Sequence, residues 1–277
     1  PINQNGAPTH IYVDSDDYSI TVKDKNSLIV FTALSTTQEI NSSLINFSQD
    51  NSLAVNRSVK AKLQDIVTVK DFGAKGDGLT DNRQALQAAI DHGASEITLN
   101  EGTYLINGKI ELPKDRSISI RGSDPVTTIL KATSAVAGGD FVVRETGTTK
   151  RIKLSGFTID GDGHPNTVLR IKQAYQSVLE ELHVKGAATG SSSNITCVVD
   201  FGGVGSDVNS TQINKCDFDG EGTAYYSLRL QEKALDNFLA HCNIKNATEA
   251  CVISQAGGNK FTDIRTFGSN NLTILRN

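Results

Sequence analysis

From Ile97 onward the chain alternates short apolar runs with Gly, Asn and Asp, and no segment carries a helical period. Three apolar positions recur there at offsets 0, +3 and +5. They are Leu154/Phe157/Ile159, Leu179/Leu182/Val184, Ile213/Cys216/Phe218 and Leu239/Cys242/Ile244, with a weaker set at Phe261/Ile264/Thr266. Successive sets begin 25, 34, 26 and 22 residues apart. A second apolar strand follows each set: Val168–Ile171, Val198–Phe201, Tyr226–Leu230, Ala250–Ile253 and Leu272–Leu275. Periods of about 20–50 residues mark stacked repeats. One such repeat cannot bury its apolar face without neighbours. Several short strands per repeat, with no helix between them, predict a parallel β-helix over residues 97–277. The 34-residue interval predicts an insertion, placed at the Gly/Ser/Thr-rich stretch Ala187–Asn194.

The first 96 residues read differently. Asn5-Gly6 is a turn signal. Tyr18–Val22 alternates apolar with polar, and Leu28–Phe31 follows the polar stretch Asp24–Ser27, so residues 1–34 are expected to be antiparallel β structure with a hairpin. Residues 35–66 are rich in Ser, Thr, Asn and Gln, with scattered Ile45, Phe47 and Val55. They are expected to form a neck whose apolar residues need neighbours, ending in a short helix with Ser58 as N-cap. In residues 67–96 a strand from Thr68 is expected to enter a Gly-rich turn. A helix should follow, with Asp81 as N-cap and Gln84 as its capping-box partner. Ala85, Leu86, Ala89 and Ile90 form its apolar face, and Gly93 stops it. An open β-helix end exposes strand edges, so this helix is expected to cap the N-terminal end. The chain has no methionine, even at position 1, and Asn277 follows a coil strand directly. A segment of a longer protein is expected.

Composition changes this picture only by exclusion. The 277 residues are 38% hydrophobic and 21% charged, which fits a folded protein. Net charge is −4, with the 27 basic and 31 acidic residues mixed, so no basic patch points to nucleic acid. No apolar run approaches the roughly 18 residues of a membrane span, and no signal peptide is visible at Pro1–Gln4. The four cysteines lack C-x-x-C or zinc-ligand spacing, so buried reduced thiols are expected. Cys216 and Cys242 fall at the same inward position of successive repeats.

Candidate chemistry is sparse. Glycoside hydrolysis uses two carboxylates about 5–9.5 Å apart. Asp217 and Asp219 alternate with inward Cys216 and Phe218, so both should point outward, about 6.5 Å apart along the strand. With Glu221 they are the densest carboxylate cluster and the candidate catalytic residues. A structural reading competes. Aligning the repeats stacks Asp160, Lys185, Asp219 and Lys245 in one column, and Asp217 between His183 and Asn243. Flanking lysines favour a charged Asp219, whereas a general acid must carry a proton. His183 and His241 are expected at the surface. Asp160-Gly-Asp162-Gly163 reads as a turn. Gly73, Gly76 and Gly78 do not make a phosphate loop. No metal site and no cofactor are expected.

Two stretches resemble known families. Residues 2–34, beginning Ile-Asn-Gln-Asn-Gly-Ala-Pro-Thr-His-Ile-Tyr-Val, resemble the second half of the head-binding domain of podovirus tailspikes. Residues 58–90, containing Val69-Lys-Asp-Phe-Gly-Ala-Lys-Gly-Asp-Gly-Leu-Thr-Asp81, look like the entry to the pectate-lyase-like β-helix superfamily. The second stretch alone also occurs in pectinases and glucanases, whereas the two in this order point to phage tailspikes. The sequence departs from the usual pattern at Asn26-Ser27, where a turn glycine is common, and at Asn82, where an aspartate is. The resemblance implies a right-handed β-helix and a homotrimer on the virion, assembled in the host cytoplasm. Residues 1–34 would meet a phage head or tail adaptor protein, and the β-helix a bacterial surface polysaccharide. Depolymerisation is expected of the full-length protein, with this segment alone inactive. The alternatives are a stand-alone pectinase- or glucanase-like enzyme, and a tail fibre that only binds.

Overall fold

Short strands joined by tight corners cannot satisfy their backbone groups alone, and here each pairs with the equivalent strand one repeat away. The computed structural model describes residues 20–23, 26, 29–33, 43 and 45–275 apart from 51, 149 and 204. It divides into two compact units, residues 1–65 and 66–277. In the first, Ile20–Lys23 pairs antiparallel with Ile29–Ala33, the expected hairpin; Tyr18 and Leu28 lie outside the described residues. Asn46–Phe47 pairs with Arg57–Ser58. The helix Val59–Leu63 follows, and the Ala61 amide donates to Ser58 Oγ at 3.1 Å, as expected of an N-cap.

The second unit is a parallel β-helix of seven coils with three sheets. Each coil contributes one strand to the first sheet, one to the second and one to the third. The first coil runs Glu96–Leu99, Gly102–Ile106, Ile110–Glu111. The fourth runs Val178–Glu180, His183–Lys185, Cys197–Phe201. The fifth runs Gln212–Asn214, Asp217–Asp219, Tyr226–Leu230. The expected register holds: Leu154, Leu179, Ile213, Leu239 and Phe261 are successive partners. So are Ile159, Val184, Phe218, Ile244 and Thr266. Phe157, Leu182, Cys216 and Cys242 fill the corner between these rows and are buried. All four cysteines are free and buried.

Two more coils precede the five visible in the repeat. Ile97 pairs with Ile120 and Ile120 with Leu154, while Tyr104 pairs with Leu130 and Leu130 with Ile159. The extra length of the 34-residue interval is not one insertion. The corner after the second sheet takes residues 186–196 where the third coil uses 161–166, and the corner after the third sheet takes 202–211 where it uses 172–177.

The corners explain why so many non-glycine residues sit in the left-handed region. Glu181, Lys215, His241 and Asp263 form one corner column with φ between 49° and 54°. Lys215 pairs with Glu181 at 3.2 Å and His241 with Asp263 at 2.9 Å. Gly220 is required by close approach, since a Cβ there would lie 2.5 Å from the Asn246 carbonyl oxygen.

The entry to the coils corrects two expectations. Thr68 does not start a strand; Val69–Phe72 is a 3-10 turn, because the Thr68 amide donates to Asp71 Oδ2 at 2.8 Å and Gly73 closes the turn at φ 90°. The helix is Arg83–Asp91, with Asn82 rather than Asp81 at the N-cap. Asp81 ends the strand Asp77–Asp81, and its Oδ1 accepts from the Arg83 and Asn107 amides, each at 3.0 Å. Asn82 is 1% exposed; its Oδ1 accepts from the Lys75 amide at 2.7 Å and its Nδ2 donates to the Thr80 carbonyl at 2.6 Å. An ionised aspartate has no N–H to give, so the amide at this position is explained by the turn it holds. Leu86, Ala89 and Ile90 bury into the same core as Ile97, Leu99 and Ile106, consistent with a capping role.

Asp77 organises this entry turn. Its carboxylate accepts from the Thr80 and Leu79 amides at 2.7 and 2.9 Å and from the Thr80 hydroxyl at 2.7 Å, and these bonds hold its pKa down at about 2. A depressed carboxylate contributes stability above its unfolded pKa, about 3.9, and loses it as pH falls through the folded value. A carboxyl-carbon NMR titration of Asp77 is therefore expected to give a midpoint near 2. A midpoint near 4 would show that the turn does not hold.

Candidate functional site

The outer face of the second sheet carries the carboxylates singled out in the sequence. Along a strand, side chains alternate between faces; Phe218 points inward and is fully buried, so Asp217 and Asp219 point out. The expected column of Asp160, Lys185, Asp219 and Lys245 forms in successive coils, with Lys131 preceding it and Phe267 following it. Beside it His183, Asp217, Asn243 and Arg265 form a second column.

Both lysines at the centre of these columns are ion-paired. Lys185 Nζ lies 3.4 Å from Asp160 and 3.0 Å from Glu221. Lys245 Nζ lies 2.8 Å from Asp217 Oδ2 and 3.5 Å from Asp219 Oδ2, with the Phe267 ring at 6.0 Å. Partial burial opposes both ammonium charges. Even so, hydrogen bonding and attraction from Glu221 and Asp160 hold Lys185 above the usual lysine range, and Asp217 and Asp219 do the same for Lys245. Asp219 Oδ1 also accepts from Asn246 Nδ2 at 2.8 Å and from the Glu221 amide at 2.9 Å. The structure thus brings Asp217, Asp219 and Glu221 together, but as members of a lysine ladder.

His183 is not a plain surface residue. It is half-buried, and its ring lies within 4.8 Å, ligand atom to ligand atom, of Asp217 and Asp219. His183 Nε2 and Asp217 Oδ1 are both buried without a hydrogen-bond partner. His241 does lie at the surface. Asp160 Oδ1 accepts from the Asp162 amide at 2.9 Å, as a turn requires.

Sequence reading missed a second network, on the outer face of the third sheet. Asp200 is fully buried there between Arg170 and Arg229 in neighbouring coils. Arg229 donates from Nε to Asp200 Oδ1 at 2.9 Å and from Nη2 to Oδ2 at 2.6 Å, while Arg170 Nη2 lies 3.0 Å from Oδ2. Gln231 Nε2 adds a bond to Oδ1 at 2.8 Å. Burial opposes the Arg229 charge, yet its bonds to Asp200 hold it above the usual arginine range. The available signal was the Arg/Asp/Arg alternation at one offset of the second repeat strand.

Beside the capping helix lies a cleft of about 480 Å³ lined by Arg83, Glu111, Lys114, Asp115 and Arg116 among others. Its arginines are engaged: Arg83 Nε donates to the Lys109 carbonyl at 3.1 Å, and Arg116 donates to the Ala94 carbonyl at 2.9 Å and to that of Ile90. No helix among the described residues is long and apolar enough to cross a membrane.

Comparison with known proteins adds three kinds of likeness. A family model described as rhamnogalacturonase A/epimerase, pectate lyase-like, matches residues 66–241. The preneck appendage protein of Bacillus phage PZA is 32% identical over 99 residues, covering 35% of this chain and 11% of that protein. The tail spike protein of an Escherichia phage is 43% identical over 56 residues, covering 20% of this chain and 7% of that protein. The chain therefore matches only about a tenth of these relatives' length. Among solved structures, the tailspike protein of Escherichia coli bacteriophage HK620 superposes with a TM-score of 0.60 at 15% identity, over 84% of this chain and 51% of that one.

Proposed function

Because the chain belongs to the pectate-lyase-like family described as rhamnogalacturonase A/epimerase, and virion appendages are among its relatives, we propose that it is part of a phage tailspike. In this reading residues 1–34 engage a phage head or tail adaptor protein, residues 35–66 form the neck, and the β-helix meets a bacterial surface polysaccharide. The protein is assembled in the host cytoplasm and carried on the virion. The observation that carries the reading is the 32% identity to a phage preneck appendage protein, on a chain with a β-helix fold.

The outer surface of the coils supports the glycan partner. A β-helix presents long columns of outward polar groups at a spacing of about 4.8 Å, held rigid by the coils beneath. Rigid placement of that kind is what recognition of an extended repeating polymer requires. In the full-length protein, endoglycosidase-type cleavage would use carboxylates outside the ladder, since Asp217 and Asp219 are tied to Lys245 and Asn246.

The trimer rests on the neck. Ile45, Phe47, Leu53 and Val55 are 43%, 38%, 89% and 77% exposed in the single chain. Clustered apolar residues left in water favour association. Multi-angle light scattering of the full chain at micromolar concentration should give three times the 29.6 kDa chain mass. A monomeric mass would overturn the trimer, and Leu53→Ser with Val55→Ser should shift a trimer toward smaller species.

A further inference from the structure

The two unpartnered atoms on the second sheet face one cluster. His183 in the fourth coil is the register partner of Asp217 in the fifth, and Asp219 lies two residues along the same strand. One ligand atom from each of the three lies within 4.8 Å of the others. Lys245 takes Asp217 Oδ2 at 2.8 Å, which leaves Asp217 Oδ1 and His183 Nε2 buried and without a hydrogen bond. A buried acceptor or imidazole nitrogen without a partner is costly, and a cation held by both would satisfy the two together.

We infer that His183, Asp217 and Asp219 bind a divalent transition-metal ion that bridges the fourth and fifth coils. The inference goes beyond the tailspike reading and does not depend on it. Three observations carry it. The first is ligand type: an imidazole with two carboxylates suits Zn²⁺, Co²⁺ or Ni²⁺ better than Ca²⁺ or Mg²⁺. The second is spacing. Ligand atoms bound at about 2.0–2.2 Å lie roughly 3.3–3.6 Å apart around a tetrahedral ion, so small side-chain rotations suffice from a triad within 4.8 Å.

The third observation is charge. Among the described residues the ion pairs of Asp160, Asp217, Asp219 and Glu221 are made with Lys185 and Lys245, four carboxylates to two ammonium groups, with Arg265 two coils beyond Asp217. Lys131 is matched separately by Asp162. The surrounding bonds orient the ligands. Asn246 and the Glu221 amide hold Asp219 Oδ1, leaving Oδ2 to turn inward from its loose 3.5 Å approach to Lys245. Lys245 keeps Asp217 Oδ2, so Asp217 Oδ1 is the atom offered. The neutral donors Asn246 and the Glu221 amide thus orient Asp219, as outer partners do, whereas the Lys245 ammonium competes with the ion for both carboxylates.

The test uses the full chain, stripped with EDTA and dialysed. Calorimetric titration with Zn²⁺ or Ni²⁺ should show one saturable site per chain, and thermal melts should rise with added metal. His183→Gln should weaken binding at least about tenfold and abolish the metal-dependent rise, while its metal-free melt stays close to that of the parent. Asp217→Asn should do the same. Lys245→Met, which removes the competing ammonium, should tighten binding. Co²⁺ added to the parent should give an absorption spectrum that His183→Gln loses. Absence of saturable binding would overturn the inference. So would binding unaltered by His183→Gln, or Ca²⁺ binding that parent and His183→Gln share equally, because neither then involves the imidazole. If Asp217→Asn misfolds, His183→Gln and Lys245→Met still decide the matter, since they move affinity in opposite directions.

Discussion

Phe218→Asp is expected to leave the chain without a cooperative melting transition near that of the parent. Phe218 is fully buried and stacks between Val184 and Ile244. Removing its ring from the core costs about 3–5 kcal/mol. Placing a carboxyl there adds the cost of burying a group with no partner, several kcal/mol more unless it takes up a proton. Together these approach the whole stability of an ordinary domain, about 5–15 kcal/mol. Phe218→Leu keeps the row apolar and should cost under about 2 kcal/mol. Circular dichroism melts of the two variants check this. An unchanged transition in Phe218→Asp would mean that the stacked register is wrong.

Arg144→Leu should be nearly as damaging, although leucine looks better suited to the position. Arg144 lies in the inward row, paired with Ile171, where later coils carry Phe201 and Leu230. Its guanidinium is fully buried and depressed below the usual arginine pKa by that burial. It is satisfied by backbone alone. Nε donates to the Gln173 carbonyl at 2.6 Å, Nη2 to those of Thr148 at 2.9 Å and Lys114 at 3.3 Å, and Nη1 to those of Pro113 and Arg116. One side chain therefore ties the corners of three successive coils.

The Lys114 carbonyl would keep the Thr148 amide at 2.8 Å, but leucine would take this donor from the Pro113, Arg116 and Thr148 carbonyls, at about 1–3 kcal/mol for each group left dry. Relaxation and water entry limit the total, and a loss of about 3–5 kcal/mol is expected. At roughly 2–4 °C per kcal/mol for a domain of this size, the melting temperature should fall by about 10 °C or more. Arg144→Lys should rescue only part of it, since an ammonium offers three donors where the guanidinium fork offers five. A leucine variant as stable as the parent would show that the corner carbonyls find water as readily as Arg144.

How legible this molecule was depended on how local each signal is. Leu154 through Phe261 declared their register because an inward row repeats at fixed offsets while the corners stay short. The first two coils hid because Ile97 and Tyr104 are seven residues apart and Ile120 and Leu130 ten, the second coil spending the extra length on the turn at 123–127. The ladder Asp160/Lys185/Asp219/Lys245 followed directly from that register. Arg144 could not be foreseen, since an arginine at an inward position reads as an error until five carbonyls surround it. Asn82 looked like a departure from pattern, and only the turn geometry shows why an amide belongs there. His183 meets Asp217 across 34 residues; spacing rules for metal ligands assume a local turn or helix and are blind to such a pair.

The central claim is that this β-helix serves a phage tailspike that recognises and cleaves bacterial surface polysaccharide, with Asp219 in a structural ladder rather than at the reacting bond. The most direct measurement is size-exclusion analysis of purified surface polysaccharide from a susceptible host after incubation with the full-length spike, its Asp219→Asn variant, or residues 1–277 alone. The account predicts short, uniform oligosaccharides from the full-length protein and, at most of that rate, from Asp219→Asn, with the polymer left intact by residues 1–277. A hundredfold loss in a folded Asp219→Asn variant would contradict the ladder assignment, and failure of the full-length protein to bind the polymer would contradict the function.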